Sequence, residues 1–334
     1  MMLDILFAKS VADVAVSAAH PLSIPAPESG PGYFIILLLG LILAPLLPGI
    51  INKVKAFFAG RRGPSIFQLY YDLFKLFRKG SFKGNTASRV FTFAPAASLI
   101  SLIAASLLLP LGLQNSPLAF AGDFILFVYL LGFGRVMTIL GALDTGSSFE
   151  GMGAAREMLF SALAEGVFLA VLAFLFLLTG SFSLSGELTV SNAGSWIFRG
   201  TPLVLIGIAF FLLMLSECCR VPFDDPETHL ELTMIHEAMV LDYGGFDLGA
   251  VLYGASVKLY ILASFLVLLL LPQESFGAFW NGVFYFAGVI LMAVVIGIVE
   301  SIMARFRFLK VPQLLNGALV LSVIAIIFMV VFER

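Results

Sequence analysis

Seven acidic or histidine side chains crowd one short stretch of this chain: Asp224, Asp225, Glu227, His229, Glu231, His236 and Glu237. They lie between long apolar runs in a sequence that is 60% hydrophobic and only 12% charged. Carboxylates and imidazoles in such a setting suit proton exchange, ion conduction or the docking of a charged partner, because charge beside a bilayer is kept where it meets water, protein or an ion path. A solvated connector is the plainer alternative. Part of the acidity is structural: Asp225 is placed to cap a helix opening at Pro226, and Glu227 in the first turn suits the helix dipole. Capping does not account for Glu231, His236, Glu237 and Asp242. Glu227 and Glu231 share a helix face, as do His229 and His236. These residue types also bind metals, yet their spacing matches no compact ligand motif.

A second set of ionisable residues lies inside the apolar runs. Arg135 follows Gly132 and Gly134; Glu165 and Lys258 lie in two other runs; Asp144, Glu157, Glu217 and Glu300 fall near the ends of theirs. At 1.5 Å per residue, Arg135, Glu165 and Lys258 are each about 12–13 Å from the ends of their runs. Three charged groups on three helices then share a depth at which an isolated charge is costly, so they are expected to pair. Asp144, Glu157, Glu217 and Glu300 would form an acidic layer above them, completing a carboxylate path from the surface to mid-membrane. The alternative is an ion cluster that only fixes helix packing.

The elements that must position these groups are transmembrane helices. A mean hydropathy of +1.05 points to an all-α polytopic membrane protein and away from a soluble domain. Apolar runs of about 20 residues, long enough to cross a bilayer as helix, occur near 32–51, 92–113, 120–143, 157–179, 201–217, 249–271, 279–302 and 313–332. These make eight expected spans. They do not alternate in short stretches as barrel strands would. Fourteen of the 19 Lys and Arg residues fall in the loops after spans one, three, five and seven, nine of them between Lys53 and Arg89. The positive-inside rule places those loops in the cytoplasm and both termini outside.

The expected layout is a surface segment over 1–31, with a short helix ending at Pro21, Pro25 and Pro27, followed by a single membrane domain over 32–334. Asp4 and Asp13 interrupt the first apolar stretch and no basic start precedes it, so no cleaved signal peptide is expected. Cys218 and Cys219 are adjacent and expected to stay reduced; two thiols fall short of the four ligands an iron–sulfur cluster needs. There is no glycine-rich phosphate loop and no HExxH arrangement, which argues against nucleotide chemistry in this chain.

Between the first two spans, Arg61-Arg62-Gly63-Pro64 opens a segment reaching Lys79. Pro64 fits the first turn of a helix, and Gln68, Asp72, Lys75 and Lys79 recur as one polar stripe. Ile66, Phe67, Leu69, Tyr70, Leu73, Phe74 and Phe77 cover the rest. The pattern predicts a helix lying in the membrane interface or wedged against other helices.

The segment Arg62-Gly63-Pro64 with Gln68, Asp72 and Lys75, the eight-span layout and the acidic loop after span five resemble the subunit 1 family of complex I. Within it, the stretch from Val221 to Met239 resembles the branch found in energy-converting NiFe-hydrogenases, notably the membrane subunits of formate hydrogenlyase and hydrogenase-4. The resemblance runs from about residue 32 to the C-terminus. It implies a non-catalytic anchor and coupling subunit in the cytoplasmic (inner) membrane. The implied partners are a NiFe-hydrogenase-like large subunit, an iron–sulfur small subunit, a ferredoxin-like subunit and antiporter-like membrane subunits, within a lipid bilayer and with no nucleic acid. NiFe and iron–sulfur cofactors are expected on those partners and none in this chain.

By matching position, the resemblance puts Glu157, Glu165, Glu217, Glu227 and Glu231 on the acidic path, and Arg62, Gln68, Asp72 and Arg220 on the docking surface. Together with the residues read above, the candidate proton path is Arg135, Asp144, Glu157, Glu165, Glu217, Glu227, Glu231, Lys258 and Glu300. The candidate docking residues are Arg61, Arg62, Gly63, Pro64, Gln68, Asp72, Lys75, Arg220, Asp224, Asp225, His229, His236, Glu237 and Asp242. Two rival readings are a quinone-site subunit of a complex I-like NADH or ferredoxin:quinone oxidoreductase and a stand-alone ion transporter. The hydrogenase-like loop departs from the complex I pattern, which weighs against quinone.

Overall fold

A computed structural model describes residues 31–332 apart from 82–83, 85–86, 190–192, 225–234, 271–277, 305 and 307–309. The expected surface helix within 1–31, and the candidate residues Asp225, Glu227, His229 and Glu231, lie outside the described residues. The helices are α1 (Pro31–Leu43), α2 (Leu46–Phe58), α3 (Gln68–Phe77), α4 (Arg89–Ser106), α5 (Asp123–Asp144), α6 (Ser148–Thr179), α7 (Leu184–Thr189), α8 (Ala193–Glu217), α9 (His236–Met239), α10 (Gly245–Leu270), α11 (Ala278–Ile302) and α12 (Val311–Phe332), with a 3-10 turn at Leu111–Leu113. No strand occurs among the described residues.

Among the described residues seven helices are long and apolar enough to cross a membrane, and α1 with α2 passes the same test together as a pair bent by 45°. The first span is therefore not the straight run over 32–51. Pro45 at the bend lacks an N–H and crowds the turn before it, which breaks the helix; Pro48 falls in the first turn of α2, where a missing N–H is harmless.

Two other elements depart from expectation. Pro64 does not start a helix: α3 begins at Gln68, and the residues before it run back along α2. Gly49 lies so close to the Ile66 carbonyl that no side chain would fit, and Lys53 Nζ donates to the Arg62 carbonyl at 2.8 Å. Those contacts hold 61–67 against α2 in place of a first helical turn. Likewise α6 starts at Ser148, nine residues before Glu157. The glycines there suit a loop by propensity, but Gly153 provides the close approach on which Ile235, Ala238 and Met239 pack.

At the centre stands α10, 78% buried where the other spans are 28–56% buried. It packs against α3, α4, α8 and α11, with α5 on α4, α12 against α6 and α8, and α11 on α2. Gly249 beside Phe77 and Gly254 beside Leu102 let α3 and α4 come near it. Phe127 of α5, Phe168 of α6, Phe210 of α8 and Phe265 of α10 form a fully packed aromatic layer. Phe210 stacks on Phe265 at 4.5 Å, Phe168 meets Phe210 edge-on at 5.6 Å, and Phe127 stacks on Phe265 at 6.0 Å.

Candidate functional site

The same four helices carry a buried ion cluster. Arg135 on α5 donates through Nη2 to both carboxylate oxygens of Glu217, the last residue of α8. Lys258, at the middle of α10, places Nζ 2.9 Å from Glu217 Oε2. Glu157 on α6 completes the set, its Oε1 3.7 Å from Arg135 Nε. Gly134 seats against Ser98 and Ser101 of α4, which turns the neighbouring Arg135 into the bundle. Two cations face two carboxylates, so the cluster is charge-balanced, as burial demands.

The two carboxylates are held differently. Glu217 has two cations at hydrogen-bonding distance. Glu157 has the longer contact to Arg135 and a weak one from the Cys219 thiol at 4.0 Å, and Arg135 Nε on that side is buried without a hydrogen bond. Glu157 is the carboxyl with spare bonding capacity, and so the one able to take up a proton without breaking a short ion pair.

A cavity of about 70 Å³ opens onto all four charges and onto Ser98, Thr138, Cys218, Cys219 and His236. Its volume and polar lining suit a few water molecules. A smaller void of about 10 Å³ continues from Glu157 and Cys219 past Ser216 to Asp224 and Ile235. On the other side, seven residues along both α8 and α10 and so about 10 Å away, the aromatic layer closes the bundle.

Because α8 ends beside the middle of α10, residues 218–224 run as non-helical backbone beside the cavity, an arrangement tolerated at membrane depth where it lines a cavity or is buried in protein. Cys219 has φ +49°. Its N–H donates to the Ser216 carbonyl at 3.1 Å and that of Arg220 to the Leu215 carbonyl at 2.9 Å, closing the helix through a left-handed residue where glycine is usual. Cys219 Sγ lies 4.0 Å from Glu157 Oε2. Burial pushes the Cys218 thiol up to about 12 and the Cys219 thiol well above its ordinary value, so both are protonated. Burial, and then the Lys258 charge, lowers His236 to about 4, leaving a neutral imidazole on the cavity wall.

The structure rearranges several expectations. Glu165 does not pair with Arg135 or Lys258; it is exposed on the outside of α6, and Glu217 and Glu157 take its place. Glu217 and Glu157 are not a layer above the basic residues but their direct partners, since α8 stops at that depth and α6 starts earlier than its apolar run. Asp144 accepts from the backbone N–H groups of Ser88 at 2.7 Å and Phe91 at 3.2 Å, capping α4. Glu300 forms a separate buried centre with Lys55 at 3.4 Å and Arg220 at 3.6 Å, joining α2, α11 and the segment after α8.

Among the docking candidates, Arg61, Arg62, Gly63, Pro64, Gln68, Lys75 and Asp242 are exposed, Glu237 is partly so, and Asp72 accepts from Gln68 at 3.2 Å. Three face inward instead. Asp224 is buried and accepts from the Ile235 N–H at 3.1 Å, tying together the two ends of the acidic loop; Arg220 holds Glu300; His236 lines the cavity. Glu150, which the apolar pattern gives no reason to single out, is fully buried and accepts from the Asp242 N–H at 3.0 Å. Among the described residues no group of three or more His, Cys, Asp or Glu side chains is placed to hold a metal ion.

Fold and site together define an all-α polytopic membrane protein built around one charge-balanced cluster shared by four spans. The chain belongs to the NADH dehydrogenase family, whose pattern matches residues 32–331. It is 33% identical to hydrogenase-4 component C of Escherichia coli (strain K12), over 84% of this chain and 91% of that protein. Formate hydrogenlyase subunit 4 of the same organism is 29% identical, over 81% of this chain and 89% of its own length. A subunit of the NADH-quinone oxidoreductase of Rubrobacter xylanophilus is more distant, 27% identical over 63% of this chain and 65% of that protein. In fold, the chain superposes with a TM-score of 0.77 on a chain of the membrane-bound sulfane sulfur reductase, an archaeal respiratory membrane complex, at 20% identity and covering 89% of this chain and 98% of that one.

Proposed function

We propose that this chain is the membrane anchor and coupling subunit of an energy-converting hydrogenase-type complex of the formate hydrogenlyase kind. It docks a NiFe and iron–sulfur arm and links redox chemistry there to ion movement in antiporter-like neighbours. The observation that carries the reading is the cluster of Arg135, Glu157, Glu217 and Lys258, which opens through a polar cavity toward the acidic loop and is closed on its other side by four phenylalanines. The greater identity to the two hydrogenase components than to the NADH-quinone oxidoreductase relative supports the hydrogenase-type assignment.

The chemistry is electrostatic. Docking occurs on the exposed face of Arg61, Arg62, Gln68 and Lys75 together with the acidic loop, all at the cytoplasmic side. A charge change in the arm alters the proton affinity of Glu157 through the cavity. Protonated Glu157 releases its hold on Arg135, which then rests wholly on Glu217, and the altered charge balance is felt at Lys258. A stand-alone transporter needs a route through the chain, and the aromatic layer blocks the one this cavity begins.

Glu157→Gln in the intact complex tests the reading. Assembly and electron transfer should stay near the parent level while ions moved per turnover fall at least about tenfold, the effect of about 1.4 kcal/mol on one step. An unchanged ratio of translocation to turnover would overturn the coupling role.

A further inference from the structure

Pro45, at the bend between α1 and α2, acts on one particular carbonyl. It has no N–H to give to the group four residues back, that of Leu41, and its ring crowds the same group. Inside a membrane span a carbonyl freed in this way has to be satisfied by protein. Tyr253 of α10 does so, its hydroxyl donating to the Leu41 carbonyl at 3.1 Å. The next carbonyl, of Ile42, accepts from the Tyr70 hydroxyl of α3 at 2.6 Å. Two successive peptide groups at the 45° bend are thus held by tyrosines from two different helices. With the backbone bond to Leu41 missing, these two side-chain bonds set the angle of the bend.

The two helices have different duties. α3 is a ten-residue helix that turns Gln68 and Lys75 outward, while Leu73 is buried and Tyr70 half-buried on its inner side. Its far end also meets α10, where Phe77 lies 5.3 Å from the Phe246 ring and beside Gly249, whose added Cβ would come within 3.0 Å of it. Five residues beyond Tyr253, about 7.5 Å along the axis of α10, stands Lys258 of the ion cluster. The bend therefore touches the helix with the exposed polar face and the helix bearing the cluster at adjacent carbonyls. Packing alone asks for no hydroxyl at either position, since phenylalanine has the same ring.

We propose that Tyr70 and Tyr253 are positioning residues that set the bend of the first span according to whether a partner occupies α3, and so carry docking of the redox arm to α10. This rests on the docking reading given above. A partner seated on the outer side of α3 fixes that helix, Tyr70 then fixes the Ile42 carbonyl, and Tyr253 passes the set of the bend to the segment that holds Lys258.

The test compares the intact purified complex with the same complex stripped of its water-soluble arm, by hydrogen–deuterium exchange at the amides of Leu43, Ala44, Leu46 and Leu47. Removing the arm should speed exchange there at least about tenfold in the parent. Tyr70→Phe should exchange at the fast rate whether or not the arm is bound. Tyr70→Phe and Tyr253→Phe should each lower ions moved per turnover at least about threefold, with electron transfer and recovery near the parent level. Adding Pro45→Ala to Tyr253→Phe returns an N–H to the Leu41 carbonyl, and should raise the thermal midpoint without restoring that ratio. Exchange indifferent to the arm in the parent, a parent-like response in Tyr70→Phe, or a ratio restored together with stability by Pro45→Ala would overturn the proposal. Arm-dependent exchange that is lost in Tyr70→Phe, in a complex that behaves as parent with Glu157→Gln, would uphold the hinge while removing the coupling role of the cluster.

Discussion

Lys258 and Glu217 meet at 2.9 Å although one lies at the middle of its helix and the other is the last residue of its own. The contact fixes how far α8 penetrates beside α10, and Glu217 also holds Arg135. Removing its charge leaves two buried cations without their short-range partner. Glu217→Gln should therefore destabilise the protein by about 3–5 kcal/mol and sharply reduce the amount recovered after detergent extraction. Recovery and thermal midpoint equal to the parent would mean that the two cations find another carboxylate.

His236 makes stability depend on pH in a defined window. Its folded value is about 4 against an ordinary 6.5, because burial and Lys258 disfavour the imidazolium. Between these values the unfolded chain takes up a proton that the folded chain refuses, so stability is full above pH 6.5 and declines as the pH falls toward 4. His236→Gln should remove that part of the acid sensitivity. The thermal midpoint of the variant should rise relative to that of the parent as the pH falls from 7 to 4, and parallel curves would contradict the assignment.

The cavity thiols should be nearly inert. With Cys218 at about 12, the thiolate at pH 8 is roughly three orders of magnitude scarcer than for a thiol of ordinary pKa near 8.5. Iodoacetamide should label neither cysteine of the native complex in the time that labels both after denaturation. Cys219→Gly, which suits the positive φ, should stabilise the fold by about 1 kcal/mol.

Asp144 separates a structural from a conducting role. Its carboxylate is engaged with two backbone N–H groups at the start of α4, so Asp144→Ala should lower the thermal midpoint and leave translocation per turnover unchanged in the complex that assembles. A lowered ratio at normal stability would return Asp144 to the ion path.

The spans are legible because uninterrupted apolar length is a direct signal of membrane crossing. Arg135 and Lys258 stand out because charge there needs a reason. What stays hidden is the rotation and offset of each helix relative to its neighbours. Depth counted from the end of an apolar run sets Glu165 level with Arg135, but not which way it points. That count also puts Glu217 at the surface, since the sequence does not announce that α8 stops beside the middle of its neighbour. Glu157 reads as the start of its span because the apolar run begins there, whereas packing on Gly153 accompanies a helix that reaches back to Ser148. His236 looks like a docking residue, and its turn toward Lys258 depends on α9 lying over α6, a contact no local pattern encodes.

The central position of α10 also bears on how the chain enters the membrane. A lysine at mid-span adds about 2.5–3.5 kcal/mol to the insertion of a helix that must cross by itself. Its counterion, Glu217, closes the span made just before, α8, so the two helices neutralise each other only as a hairpin. Partitioning α8 and α10 as one unit lets the charge leave water already paired. The most enclosed helix of the finished bundle is then also the one that depends most on the order of synthesis.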